Sequence, residues 1–103
     1  MLLLNIDYIP GKEIEALGLV RGSVVQSKNF GKDFMAGMKT LVGGEIEGYT
    51  ELLNEARQIA TKRMVDQAEA MGADAVVNIR YASASIMQSA AEVTAYGTAV
   101  RYK

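Results

Sequence analysis

The chain lacks cysteine and histidine entirely, and these two absences remove the most familiar kinds of catalytic and metal-binding site. Without cysteine there is neither a disulfide framework nor a thiolate nucleophile, and without histidine the commonest general base is missing. Soft and borderline metal ions would find methionine as their one remaining sulfur ligand. Catalysis would therefore depend on carboxylate, lysine, tyrosine or serine side chains.

A strong charge of one sign and a long apolar run are also lacking. The formal net charge is -1, which does not provide the basic surface that nucleic acids attract. No apolar run approaches the roughly 18 residues needed to span a bilayer, and the N-terminal stretch lacks the basic start of a signal peptide. We therefore expect a cytoplasmic protein that binds neither nucleic acid nor membrane.

The 103 residues are half hydrophobic and are expected to form one domain, spanning residues 1–103. No internal repeat, linker or low-complexity tract divides the sequence. A chain of this size buries only about two thirds of its unfolded surface, so self-association would help to stabilise it.

The first part of the sequence predicts two strands and then a helix. Leu2 to Leu4 form a short apolar stretch, which we expect to be a buried strand. Leu17 to Ser27 is rich in valine and contains Gly18 and Gly22, a pattern typical of a strand that bends or carries a bulge. A helix is predicted next by the spacing of Phe30, Phe34, Met38 and Leu41.

The clearest helical pattern extends from about Tyr49 to Met71, and Gly72 is suited to cap its C-terminal end. The opposite face of this helix is charged, and Lys62 can pair there with Asp66 one turn later. We interpret that face as solvated surface. The stripe predicted to face the sheet is Leu53, Ala56, Ile59, Ala60, Met64, Ala68 and Met71.

After Gly72 the pattern changes to the two-residue alternation of strands, with a polar linker around Gln88 and Ser89 that suits an antiparallel hairpin. The small residues of the last strand suit the close approach of a helix. The sequence thus predicts an α+β domain, a small and mainly antiparallel sheet with two helices on one face. The residues predicted to share a side are Ala75, Val77, Ile79 and Tyr81 in one strand, and Val93, Ala95, Gly97 and Ala99 in the other.

The stretch Gly43 to Thr50 nearly matches a phosphate-binding loop, since the pattern G-x-x-x-x-G-K-[ST] fails only at Tyr49. A helix precedes this stretch where a phosphate loop needs a strand, and Glu45 and Glu47 would repel a phosphate. The glycines can instead end one helix and allow a sharp turn into the next. We interpret the stretch as a corner between two helices and not as a nucleotide site.

The candidate ligand-binding residues carry no assigned catalytic role. The clustered glutamates offer oxygen ligands to a hard cation such as Mg²⁺ or Ca²⁺, although their spacing is not that of a calcium loop. Arg80 and Glu92 interrupt the late strands and could be exposed partners, intersubunit contacts or a pocket pair, the first two being favoured. The methionines are interpreted as packing, and neither a metal site nor a cofactor is predicted. The candidates are Glu45, Glu47, Tyr49, Glu51, Arg80 and Glu92.

Four segments that together cover nearly the whole chain resemble a known family. They are IPGKEIEALGLVRGSVV (Ile9–Val25), DFMAGMKTLVGGEIEGYTELLNEAR (Asp33–Arg57), MGADAVVNIRY (Met71–Tyr81) and VTAYGTAV (Val93–Val100). In this order they resemble the YbjQ family of small bacterial and archaeal proteins. The resemblance implies a dodecin-like α+β subunit assembled into a ring, with a homopentamer as the expected form and short extra strands joining the subunits. The family has been labelled heavy-metal-binding, and this chain departs from that label because it has no cysteine or histidine ligand.

We expect a non-enzymatic homo-oligomer whose binding or structural site lies at subunit interfaces, where a small α+β domain can form a pocket for a small molecule, an ion or a protein. One alternative is an ion-binding protein, which requires Glu45, Glu47 and Glu51 to converge in space. Another is an enzyme that depends on a carboxylate or a tyrosine, which requires a closed cleft around a group of perturbed pKa.

Overall fold

The computed structural model describes residues 1–27, 49–87 and 90–103. Within these ranges the chain forms a sheet of four strands with one helix packed against it, which confirms the α+β class. The elements are β1 (Leu2–Leu3), β2 (Ile14–Ser27), α1 (Tyr49–Ala70), β3 (Ala75–Met87) and β4 (Ala90–Tyr102).

The sheet has the strand order β1-β3-β4-β2, so the last strand of the chain lies between two earlier ones. β4 is antiparallel to both of its neighbours and pairs with β2 along its full length, from Ile14 opposite Tyr102 to Ser27 opposite Ala90. β1 is parallel to β3. The predicted antiparallel pairing of the two late strands is confirmed, and residues 88–89 between them lie outside the described ranges.

α1 packs on the sheet through a narrow row of small side chains and one large one. Ala56, Ala60, Met64 and Ala68 are completely buried, and each lies one turn from the next. Leu53 and Ile59 lie beside this row and are partly buried. The predicted stripe is therefore confirmed for these six positions, and the alanines let the helix backbone come close to the strands.

The C-terminal end of α1 is closed by the glycine that the sequence indicated. Gly72 has a φ of 77°, a backbone conformation that glycine adopts with little strain because it has no Cβ. Its N–H donates to the Glu69 carbonyl oxygen at 3.0 Å, and the Ala73 N–H donates to the Ala68 carbonyl oxygen at 3.1 Å. This pair of bonds is a Schellman motif, and it turns the chain directly into β3.

The backbone of α1 comes very close to the sheet at Gly22 of β2, whereas Gly97 of β4 lies against atoms of β3. A Cβ at Gly22 would overlap the Ala60 carbonyl oxygen and the Met64 nitrogen, both of which belong to the backbone of α1. The sequence indicated Gly22 as a second point of bending. Its role in the structure is to make room for the helix.

β2 begins at Ile14, earlier than the predicted Leu17, and carries the expected bulge near its start. The register with β4 shifts between Ala16 and Gly18, and Gly18 has a φ of 142°. Met71 lies over this bulge, with its terminal methyl group 3.6 Å from the position of a Cβ on Gly18. Met71 follows the end of α1 and is 38% exposed, so it is not a core member of the helix stripe.

β3 contains a bulge that the alternation pattern did not predict. Asn78 has a φ of 57°, and the register with β4 breaks between Val77 and Arg80. The side-chain alternation is therefore shifted at this point. The prediction that Ala75, Val77, Ile79 and Tyr81 share one side is wrong: Val76 and Ile79 pack toward α1, whereas Ala75 and Val77 pack with Ile9 and Val100 in a second cluster.

The N-terminal apolar stretch forms an edge strand, but it is not buried as expected. β1 spans Leu2 and Leu3, and Leu2 is 41% exposed. Leu3 is partly buried against the core beneath α1, and Leu4 packs against the second cluster. An edge position explains the difference, because among the strands that the structure describes only β3 lies beside β1.

Two sequence predictions fall on residues that the structure does not describe. They are the helix between residues 30 and 41 and the corner formed by Gly43 to Gly48. The arrangement with two helices on one face of the sheet thus stays a prediction.

Candidate functional site

Within residues 1–27, 49–87 and 90–103, no strand covers the outer edge of β3 beyond the point where β1 and its extension end. The segment after β1 continues the pairing, because the Asn78 N–H donates to the Ile6 carbonyl oxygen at 2.8 Å and the Ile79 N–H to the Leu4 carbonyl oxygen at 3.1 Å. Among the described strands, none lies beside residues 81–87 on that side. Every residue of this segment is exposed.

This open edge is apolar and uncharged. Tyr81 is 49% exposed, Ile86 52% and Met87 63%, and residues 81–87 include no charged side chain. Monomeric proteins usually protect such an edge with lysine, proline or a bulge. The segment has neither lysine nor proline, and its one register shift with β4 lies near its end, between Ser85 and Met87. Its composition is typical of an edge to which another strand is added.

A shallow depression lies where this edge meets the exposed face of α1. Its volume is about 520 Å³, it is open to solvent, and most of the atoms that line it are apolar. Lys62 carries a positive charge at its rim and is held by Asp66 at 3.0 Å, the pair that the sequence predicted. The lining residues are Arg57, Gln58, Thr61, Lys62 and Tyr81.

The hydroxyl groups of Thr61 and Tyr81 join the two sides of this depression. The Thr61 Oγ1 donates to the Arg57 carbonyl oxygen at 2.7 Å, so its proton is already used. The Tyr81 hydroxyl lies 2.8 Å from the Thr61 Oγ1 and must therefore donate to that oxygen. This bond places the tyrosine ring at the boundary between helix and open edge.

The face of the sheet opposite α1 carries a row of three large polar side chains. Arg21 of β2 and Arg80 of β3 are both aligned with Tyr96 of β4, which lies between them. The Arg80 Nη1 donates to the Asn5 carbonyl oxygen at 2.9 Å and also to the carbonyl oxygen of Ile79, the preceding residue, at 3.0 Å. Arg80 therefore fastens the segment after β1 to the sheet.

The two candidate residues of the late strands are not cross-strand partners. Arg80 is opposite Tyr96, whereas Glu92 is opposite Ala84 on one side and Val25 on the other. The separation along the strands is about 13 Å at the usual rise per residue. The structure thus places Arg80 and Glu92 on the same sheet face but in different rows, which does not favour a pocket pair.

The remaining candidates are described only in part. Glu51 lies in the first turn of α1 and is exposed, and Tyr49 is the first residue of that helix. Glu45 and Glu47 lie outside the described residues. The convergence that an acidic cation site requires stays a prediction, and so does the role of this stretch as a corner.

The donor atoms of the described chain do not fit a site for thiophilic metal ions. Cysteine and histidine are absent from the sequence, and methionine is a weak ligand by comparison. Met64 is fully buried in the core, and Met87 is 63% exposed on the open edge, so these thioethers lie in different environments. Within residues 1–27, 49–87 and 90–103, the acidic side chains form no group of three or more that could hold a metal ion.

Sequence reasoning missed the most exposed part of the candidate site. The alternation pattern predicts only that Tyr81 shares a side with Ala75, Val77 and Ile79, and the charged face of α1, which includes Arg57, is interpreted as solvated surface. No signal in the sequence alone could pair Thr61 with Tyr81, because the bulge at Asn78 decides which face Tyr81 occupies.

In the part of the chain that the structure describes, no helix has the length and apolar character to cross a bilayer.

Comparisons with known proteins agree with the resemblance noted in the sequence. The YbjQ family model, described as "Putative heavy-metal-binding", matches residues 1–103. A UPF0145 protein of Clostridium novyi is 64% identical over 101 residues, covering 98% of each chain. Another UPF0145 protein, from Alkaliphilus metalliredigens, is 58% identical over 102 residues and covers 99% of each chain.

A solved structure shares the fold at low sequence identity. It is a protein of unknown function from Pediococcus pentosaceus that belongs to the DUF74 family, with a TM-score of 0.68 and 13% identity. The match covers 100% of this chain and 98% of that one. On the family match and the relatives above, this chain belongs to the YbjQ family.

Proposed function

We propose that the protein is a cytoplasmic homo-oligomer, a ring of five dodecin-like subunits that binds a small molecule at its subunit interfaces. The observation that carries this proposal is the open outer edge of β3 over residues 81–87. Membership of the YbjQ family and the small size of the chain support it. Neither nucleic acid nor a membrane is a partner, and the protein is not an enzyme.

The occupant of the open edge is a strand from a second copy of the chain. The unpaired N–H and C=O groups along a strand edge are satisfied by water, by side chains or by another strand, and only another strand pairs with them along the whole length of the edge. Burying a side chain of the size of Ile86 or Met87 contributes about 1.5 to 3 kcal/mol. A closed ring joins two different surfaces of neighbouring subunits, so each subunit offers its β3 edge once.

The binding site is the depression beside Tyr81. It adjoins the open edge, so a strand added there forms the wall that the isolated subunit lacks. Arg57 and Lys62 supply positive charge at its rim, and the apolar atoms of its lining suit a hydrophobic group. The ligand is therefore a small anion with an apolar part.

The assembly is tested by placing a charge on the open edge. Ala84 is exposed and lies opposite Glu92, so Ala84→Lys gains an opposite charge within its own subunit while making the edge unsuitable for pairing. We expect sedimentation velocity to show the wild type at five times the chain mass and the variant as a monomer of unchanged circular dichroism. Ala16→Lys places the same charge at an exposed position of β2 and should stay assembled.

A folded wild-type monomer at micromolar concentration would contradict the proposal, as would an Ala84→Lys oligomer as stable as the wild type.

The binding site is tested with anilinonaphthalene sulfonate, an anionic aromatic probe. We expect Lys62→Gln to weaken its binding and Lys103→Gln to leave it unchanged. Equal binding of the probe by both variants would show that the depression beside Tyr81 is not the binding site.

A further inference from the structure

Two side chains of α1 bind backbone groups in the middle of the outer edge of β2, at Arg21 and Ser23. The Arg21 N–H donates to the Gln67 Oε1 at 2.7 Å, and the Arg63 Nη1 donates to the Ser23 carbonyl oxygen at 2.7 Å. β2 is the terminal strand of the sheet and pairs with β4 on its other side. These two backbone groups therefore point outward, where an added strand would bind.

Gly22 makes this coverage possible, because it lies between the two bonded residues. The backbone of α1 touches Gly22 at Ala60 and Met64, and residue 63 lies against it as well. Arg63 and Gln67 are one helical turn apart on the same side of α1. A helix held this close over β2 brings both side chains within reach of the strand edge.

We infer that Arg63 and Gln67 close the β2 edge to strand addition, so that a second copy of the chain joins the sheet at β3 and not at β2. Two open edges on one sheet allow subunits to add without limit, whereas one closed edge restricts the pairings that can form. The choice of β3 rests on the proposed assembly. The closure of β2 does not, and it is tested separately.

The first test removes both covering side chains. Arg63→Ala with Gln67→Ala keeps good helix formers at both positions and frees one acceptor and one donor of the edge. We expect sedimentation velocity to show species larger than the wild-type assembly, with a fraction that rises with protein concentration. The matched control, Arg63→Lys with Gln67→Glu, keeps a donor and an acceptor at these positions and should sediment like the wild type.

A second measurement does not depend on any assembly. Gln67→Ala should raise the hydrogen-exchange rate of the Arg21 amide about tenfold, as expected for the loss of one hydrogen bond. The Val20 amide faces β4 and should exchange as in the wild type, which separates edge opening from general destabilisation. Gln67→Glu should restore the slow exchange of Arg21. An unchanged Arg21 rate in Gln67→Ala would overturn the closure of the edge.

A third variant identifies the surface used. Val25 is 55% exposed on β2, and adding Val25→Lys to the double alanine variant should return it to wild-type size if the new contact is the β2 edge. Large species that persist would overturn the inference, as would a folded double variant of wild-type size over the whole concentration range. If the wild type itself is a monomer, the proposed ring fails, while association of the double variant still supports the closure.

Discussion

The Thr61 Oγ1 and the Tyr81 hydroxyl lie 2.8 Å apart, and this bond joins the middle of α1 to the first residue of the open edge of β3. Tyr81 is half exposed, so its ring is held by this contact and not by burial in the core. The orientation of Tyr81 in the isolated subunit therefore depends on one hydroxyl pair.

Tyr81→Phe removes that pair and keeps the ring. We expect a loss of about 1 kcal/mol in the free energy of unfolding, measured by urea denaturation at fixed protein concentration, because a partly exposed hydrogen bond is lost. Thr61→Val should cost a similar amount. In the double variant the two losses should not add, since both remove the same bond, and full additivity would show that the hydroxyls do not interact.

Gly22→Ala should be the most damaging single methyl addition to the sheet. The new methyl group meets backbone atoms of α1, which cannot move as a side chain can. We expect a loss of about 2 to 4 kcal/mol in the free energy of unfolding. Gly11→Ala is the comparison, because Gly11 has a φ of 75° and no atom within 4 Å of its Cβ position. It should lose only about 1 kcal/mol from backbone strain, and equal losses would contradict the close packing at Gly22.

Asn78→Val tests the bulge in β3. A β-branched residue is strongly disfavoured at a φ of 57°, so we expect a loss of about 1 to 2 kcal/mol, read from the urea midpoint. Asn78→Gly accepts the same backbone conformation and should differ from the wild type by less than about 0.5 kcal/mol. An Asn78→Val variant as stable as the wild type would mean that β3 can lose its bulge at this position. The bulge would then not determine which face of the sheet the following side chains occupy.

Zinc and copper should bind only weakly to metal-free protein, in the millimolar range or so, because carboxylates and thioethers are poor ligands for these ions without cysteine or histidine. Isothermal calorimetry on protein purified without a metal-affinity resin measures this directly. A stoichiometric isotherm of micromolar or tighter affinity would reveal a site that the donor chemistry does not indicate.

The features that the sequence predicted well are those set by long periodic patterns. α1 repeats its buried residues over several turns, so its bounds could be predicted within a residue or two. In β4, Val93, Ala95 and Ala99 share the side that packs against α1, as the two-residue alternation predicts. The glycine at the end of α1 was predictable for the same reason. In each case one local rule acts without competition from the rest of the fold.

What the sequence did not predict depends on contacts between distant segments. Gly18 and Gly22 look alike in the sequence, yet one serves a bulge and the other the approach of a helix. Asn78 shifts the alternation of β3 by adopting a rare backbone conformation, which composition does not reveal. The roles of Arg63 and Gln67 follow only once β2 is known to be an edge strand.

The strand order also decides when this protein can fold during its synthesis. β2 finds its partner in β4, and Ile14 pairs with Tyr102, nearly the full length of the chain away. β1 likewise cannot pair until β3 has been synthesised. While the ribosome is still making residues 90–102, β2 does not yet have the strand that it pairs with, although α1 can already form. We therefore expect the sheet to close only when the nascent chain has almost wholly emerged, with β4 as the strand that completes it.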